Sequence, residues 1–215
     1  MKQIKKIFST LFVTASLLSF SQVTFGAKAN VIYQTGDPTW ENIKNGTVDA
    51  SEDKGKNNVG YNAGISLKID TPLGIFIQPE LYYTTFSKEF TVDGTNTNTN
   101  TTIIVKNNRA DLPVLVGYNV LGKTLGIYAG PVASYNLSTD NQYNDFKENA
   151  TKEFTLGYQF GAQVTISKLV VSARYEGAFS NDQRKFINTN TSSSIDEIRY
   201  DNRPSLLMFG VGLNF

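Results

Sequence analysis

Along most of this chain apolar side chains recur at every second position, separated by glycines, amides and hydroxyls. The first clear run carries Val59, Tyr61, Ala63, Ile65, Leu67 and Ile69 on one parity. The next carries Ile75, Ile77, Pro79, Leu81 and Tyr83, and a third Leu112, Val114, Val116, Tyr118 and Val120. Further runs cover 125–137, 154–166 and 169–179, and the chain ends on Leu207, Phe209, Val211, Leu213 and Phe215. Alternation sustained over such lengths is the signature of β-strands with two unlike faces. A helix requires a repeat of ~3.6 residues, which no run here follows.

The connections alternate as well. Asp70-Thr71-Pro72-Leu73, Leu121-Gly122-Lys123 and Ser167-Lys168 read as tight turns, whereas 91–102, 139–152 and 183–202 are long and polar. Short and long connections in alternation describe an up-and-down antiparallel meander, and the same asymmetry marks outer-membrane barrels. Seven runs are clear in the sequence. Closure of a bacterial single-chain barrel takes an even number, so an eighth strand is expected near 29–36, with Val31 and Tyr33 outward. The segment 37–57 then becomes the first long loop, and both termini fall at the turn end.

A soluble sandwich or lipocalin-like binder also alternates, so the second face decides. That face reads Gly60, Asn62, Gly64 and Ser66 in one run, and Thr155, Gly157, Gln159, Gly161 and Gln163 in another. A water-facing surface carries roughly 25–35% charged residues. Here charge is sparse, which suits a narrow polar lumen and leaves the apolar face to meet lipid. The predicted fold is therefore all-β, an eight-stranded antiparallel transmembrane β-barrel with short periplasmic turns and long extracellular loops. Glu80, Arg109, Asp111, Arg174 and Glu176 are expected to form a lumen charge network, because an unpaired charge inside a closed barrel is costly. Tyr61, Tyr83, Tyr118, Tyr135, Tyr158, Tyr175 and Phe215 are expected as membrane-interface aromatics at the band edges. Pro79, Pro113 and Pro131 fall inside spanning strands, where a residue without an N–H predicts a local bulge.

The first residues supply the address. Lys2, Lys5 and Lys6 precede the uncharged stretch from Ile7 to Phe20. Ala27-Lys28-Ala29 then fits a small-x-small cleavage pattern, with Thr24-Phe25-Gly26 competing. The reading is a signal peptide over 1–29 and a barrel domain over 30–215. The tail Phe209, Val211, Leu213 and Phe215 is expected to be the signal read by the barrel assembly machinery. Outer-membrane lipid is the expected surrounding, in a Gram-negative-type bacterium.

Composition narrows the chemistry. The chain has no cysteine and no histidine, and its net charge is +1. No disulfide framework is available, and the commonest general base and metal ligand is missing. No catalytic residue, metal site, cofactor or nucleic-acid partner is expected.

The stretches "FIQPELYYT" (76–84), "RADLPVLVGYNV" (109–120), "GIYAGPVASY" (126–135) and "ARYEGAFSN" (173–181) follow one another in fixed order. In that order and spacing the chain resembles the PorT-like family of eight-stranded outer-membrane barrels, over about residues 58–215. Its N-terminal strand departs from that family's glycine-rich first strand. The resemblance implies the barrel; some relatives serve protein secretion machinery. The function expected is a non-enzymatic outer-membrane barrel with a plugged lumen, structural or binding a protein or surface ligand through its loops. Trp40 is a candidate contact residue, and "TNTNTNTT" (95–102) a solvated tip or strand extension. The alternative is a transport or secretion component with a gated lumen.

Overall fold

The computed structural model describes residues 22–35, 39–44, 47–51, 56–57, 59–92, 101–137, 142–143, 146–150, 154–180, 182–188, 197–202 and 205–215. Eight long strands carry the fold: β1 (Gln22–Gln34), β2 (Gly60–Asp70), β3 (Ile75–Val92), β4 (Thr101–Leu121), β5 (Leu125–Asn136), β6 (Phe154–Ile166), β7 (Leu169–Ala178) and β8 (Leu206–Asn214). Their order is β3-β2-β1-β8-β7-β6-β5-β4, and β3 pairs with β4 to close the ring. Every neighbouring pair is antiparallel. Closure pairs the backbone groups of both would-be edge strands, which is what hydrocarbon requires of a spanning sheet.

The two faces divide as the alternation requires. Ile65, Leu81, Val116, Ile127, Phe160, Val171 and Val211 are exposed on the outside, while Gln78, Glu80, Gln159, Gln163, Arg174 and Glu176 are buried inside. A soluble sandwich would reverse this.

The turn end is compact. Thr71 and Gly74 close the β2–β3 hairpin, with the Thr71 N–H donating to the Ile75 carbonyl at 2.8 Å. Gly74 and Gly122 hold φ of 80° and 57°, a region costly for a side chain with a Cβ. Ser167, in the two-residue β6–β7 turn, adopts φ 57° as well.

Three expectations need correction. First, β1 begins at Gln22, not near Ala29, and pairs with β2 from Gln22↔Asp70 upward. Residues 22–29 are barrel wall, so the domain reaches back past the expected boundary at 30. Val23, Phe25 and Ala27 simply continue the outward parity of Val31 and Tyr33. The stretch 1–21 lies outside the described residues.

Second, the prolines produce no bulge. The β3–β4 register is identical on either side of Pro113, with Gln78↔Leu115 and Tyr82↔Asp111. Pro79 and Pro131 likewise leave register unchanged in their ladders. Instead each proline coincides with a short lapse in one ladder: β2–β3 between Ser66↔Glu80 and Ile69↔Ile77, β3–β4 between Pro79↔Val114 and Tyr82↔Asp111, and β4–β5 between Pro113↔Val132 and Val116↔Ala129. Proline removes a donor from one side of a strand, and that does not require an inserted residue. The β4–β5 ladder does shift register, but between Asn119 and Leu121.

Third, the long connections carry strands. Thr39–Lys44, Thr47–Ser51, Gln142–Tyr143, Phe146–Ala150, Asp182–Asn188 and Glu197–Asn202 form a second, six-stranded sheet. It joins segments from the β1–β2, β5–β6 and β7–β8 connections; Trp40, for instance, sits opposite Tyr200. Strands β3 and β4 also run on together as far as Val92↔Thr101. Thr101 and Thr102 of the "TNTNTNTT" tract belong to β4, and its residues 95–100 lie outside the described residues.

Candidate functional site

The lumen is filled in layers. Near the turn end Phe76, Leu115 and Tyr128 form an apolar cluster. Near the loop end Ile32, Phe86, Leu206 and Met208 form another. Between them lies a polar layer built by five strands. Period-two geometry aims alternate residues of each strand at the axis, so one short motif per strand supplies it.

Glu80, on β3, is the most heavily bonded group of this layer. It accepts from Lys28 Nζ at 2.8 Å, from Arg174 Nη1 at 2.5 Å and from Gln78 Nε2 at 2.8 Å. Arg174 reaches on to Gln159 Oε1 at 3.3 Å, and Gln159 Nε2 donates to Glu176 at 2.7 Å. Glu176 takes a second bond from Arg109 Nη2, whose Nε donates to Asp111 at 3.0 Å. Asp111 also accepts from Thr84 Oγ1 at 2.6 Å. On the other flank Lys28 donates to Gln163 at 3.2 Å, and Gln163 Nε2 to Gln78 Oε1 at 3.2 Å. The chain of contacts from Asp111 to Gln163 is unbroken, and every member is buried.

Aromatic rings on the inner face lie beside both guanidinium groups. The Arg174 guanidinium lies 5.7 Å from the Tyr82 ring centre and 5.4 Å from that of Tyr128. Arg109 sits 5.3 Å from Phe86 in the loop-end apolar layer. Ring faces attract cations, most strongly where water is excluded. At the turn end Lys68 pairs with Asp70 at 2.8 Å and lies 4.4 Å over Phe76.

The structure thus brings Glu80, Arg109, Asp111, Arg174 and Glu176 into one network. Sequence reading missed Lys28, because the leader boundary had removed it. The unbroken parity from Val31 back to Phe25 was the available signal. Gln78, Gln159, Gln163 and Thr84 were legible as inward positions but not as members of the network, since amide partners follow from ring order.

The aromatics sit on the outer face. Tyr61, Tyr83, Tyr118, Tyr135 and Phe215 are exposed, and Tyr158 and Tyr175 are half-buried. Tyr158 owes its cover to other rings: Phe179 at 5.0 Å, Tyr175 at 6.3 Å and Phe160 at 6.4 Å between centres. Phe209, Val211, Leu213 and Phe215 are exposed along β8, and the Phe215 N–H donates to the Phe25 carbonyl at 2.8 Å. Among the described residues no group of three or more acidic side chains is placed to hold a metal ion.

A closed antiparallel ring with an apolar exterior and a charge-paired interior defines an outer-membrane β-barrel. The chain belongs to the outer membrane protein beta-barrel domain family, whose model matches residues 15–184. No curated protein sequence matches it. Its fold is similar to the crystal structure of the outer membrane protein OprG from Pseudomonas aeruginosa, at 14% identity and a TM-score of 0.62, over 89% of this chain and 95% of that one. It is also similar to the solid-state NMR structure of the outer membrane protein AlkL in DMPC lipid bilayers, at 11% identity and a TM-score of 0.55, over 90% of each chain. At these identities the likeness is one of fold. The protein resides in the outer membrane.

Proposed function

We propose that this protein is a non-enzymatic outer-membrane barrel whose wall and lumen are structural and whose contacts with partners are made at the loop end. The observation that carries this reading is the Arg174–Glu80 contact, at 2.5 Å, between two apolar layers. An eight-stranded barrel has an interior just wide enough for side chains to fill. Here the filling is continuous from wall to wall, so a solute would have to break buried ion pairs to pass. The chain length that the wall does not use is invested in the second sheet, which suits it to meeting a protein or a surface ligand.

The resemblance to PorT-like barrels fits this reading, with service to a secretion assembly as one form such a partner takes. The exposed tail ending at Phe215 suits recognition by the barrel assembly machinery. Planar-bilayer recording tests the closed lumen. The expected record shows no discrete steps for the wild-type protein. Uniform steps that disappear on Arg174→Met would instead establish a gated conduit.

A further inference from the structure

We infer that export of this chain ends with hydrolysis of the peptide bond between Ser21 and Gln22. Water adds across that bond, its hydroxyl completing the Ser21 carboxylate and its hydrogen the Gln22 amine. The argument comes from what β1 must keep. A cut after Ala29 removes Gln22–Ala29 and leaves Asn30–Gln34 of the strand. A tilted spanning strand needs ~9–11 residues, so that remnant cannot cross. The pairs from Gln22↔Asp70 to Ala29↔Ala63 with β2 are lost, as are those from Gly26↔Asn214 to Ala29↔Val211 with β8. Both neighbours are then left with unpaired edges in hydrocarbon, which a membrane does not tolerate.

The cut also removes Lys28, one of the two cations on buried Glu80. A cut after Gly26 spares Lys28 but still strips the turn-end pairs and the Phe25 carbonyl that accepts from the Phe215 N–H. Upstream of the strand, Ser19-Phe20-Ser21 is itself small-x-small. It leaves a leader with the basic residues Lys2, Lys5 and Lys6 and an uncharged run from Ile7 to Leu18. That run lies within the ~7–15 residues of an h-region, and the whole leader within the ~15–30 of a secretory signal. The mature chain then opens on Gln22, the first of the described residues paired in the wall and the acceptor of a bond from Lys123 Nζ.

The test is N-terminal sequencing and intact mass of the full chain exported in a Gram-negative host and extracted from its outer membrane. A start at Gln22 is expected, either as the free amine or as the ring formed by loss of ammonia. A start at Ala27, Lys28 or Asn30, or an uncleaved chain, overturns the inference. Ser21→Leu is expected to abolish processing, and Ala29→Leu, outward on the wall, to leave it intact; the reverse pattern overturns it. As a check independent of the peptidase, chains beginning at Gln22 and at Asn30 are refolded into detergent. Only the first is expected to show heat-modifiable gel mobility, and equal behaviour of the two counts against the inference.

Discussion

Arg174 and Glu80 stand on strands four places apart in either direction round the ring, and their side chains meet at 2.5 Å. The pair is a crossbar between opposite walls, β7 and β3. Removing one partner of a buried pair leaves an uncompensated charge and costs roughly 3–5 kcal/mol. Replacing both with apolar residues of similar volume is often near neutral. Lys28 also bonds to Glu80, so the apolar replacement has to take all three groups. Arg174→Met is expected to lower urea stability in vesicles by up to that amount, and Arg174→Met with Glu80→Met and Lys28→Met by distinctly less. A triple variant whose cost equals the sum of the three single ones would show that these groups contribute nothing as a cluster.

Lys28 shares Glu80 with Arg174, at 2.8 Å. Losing it leaves the carboxylate one cation and the Gln78 amide. Lys28→Met is therefore expected to cost less than Arg174→Met, in keeping with the non-additivity of neighbours in one network. Because the network is buried, the loss should be nearly independent of salt, unlike that of an exposed pair. Urea titrations at low and high ionic strength check both points.

How far the sequence could be read depended on the range of the interactions involved. Wall faces are a local matter: Gln159 and Phe160 differ in environment because they are adjacent in a strand, and parity alone tells them apart. That Arg174 would find Glu80 could not be read locally, because it depends on ring order. Lys28 was lost to a different cause, since Ala27 and Ala29 satisfy both a peptidase and a lipid-facing wall. The second sheet was invisible because its strands are short, rich in charged residues, and joined in part across great separations, as Trp40 is with Tyr200. For the prolines, a missing donor does not imply an inserted residue: Pro113 keeps register and opens a gap in the ladder.

The outer face gives a depth test on one strand. Leu81 pairs with Ile65, the middle residue of β2, and Tyr83 lies one outward position nearer the loop end; both are exposed. Arginine on the lipid face of a barrel costs roughly 2–4 kcal/mol at the midplane, falling to ~0–1 near an interface. Leu81→Arg should be the more destabilising of the two, and Tyr83→Arg the milder, by reversible urea unfolding in vesicles. Equal costs would mean that Tyr83 does not approach the interface.

Deletion of Phe215 offers a test that separates folding from biogenesis. The residue is 75% exposed, and its N–H donates to the Phe25 carbonyl. Deleting it therefore removes about one hydrogen bond, worth roughly 0.5–1.5 kcal/mol. The purified deletion variant is expected to refold into vesicles almost as the wild type does. In cells, if the tail is what the assembly machinery reads, the same variant should show a marked fall in heat-modifiable, membrane-inserted protein and accumulate in the periplasm. Restoring an aromatic residue at the terminus as Phe215→Tyr should recover assembly, whereas Phe215→Asp should not. If the deletion assembles normally in cells, the tail is wall and nothing more; if it fails to refold in vesicles as well, the residue matters to the barrel itself.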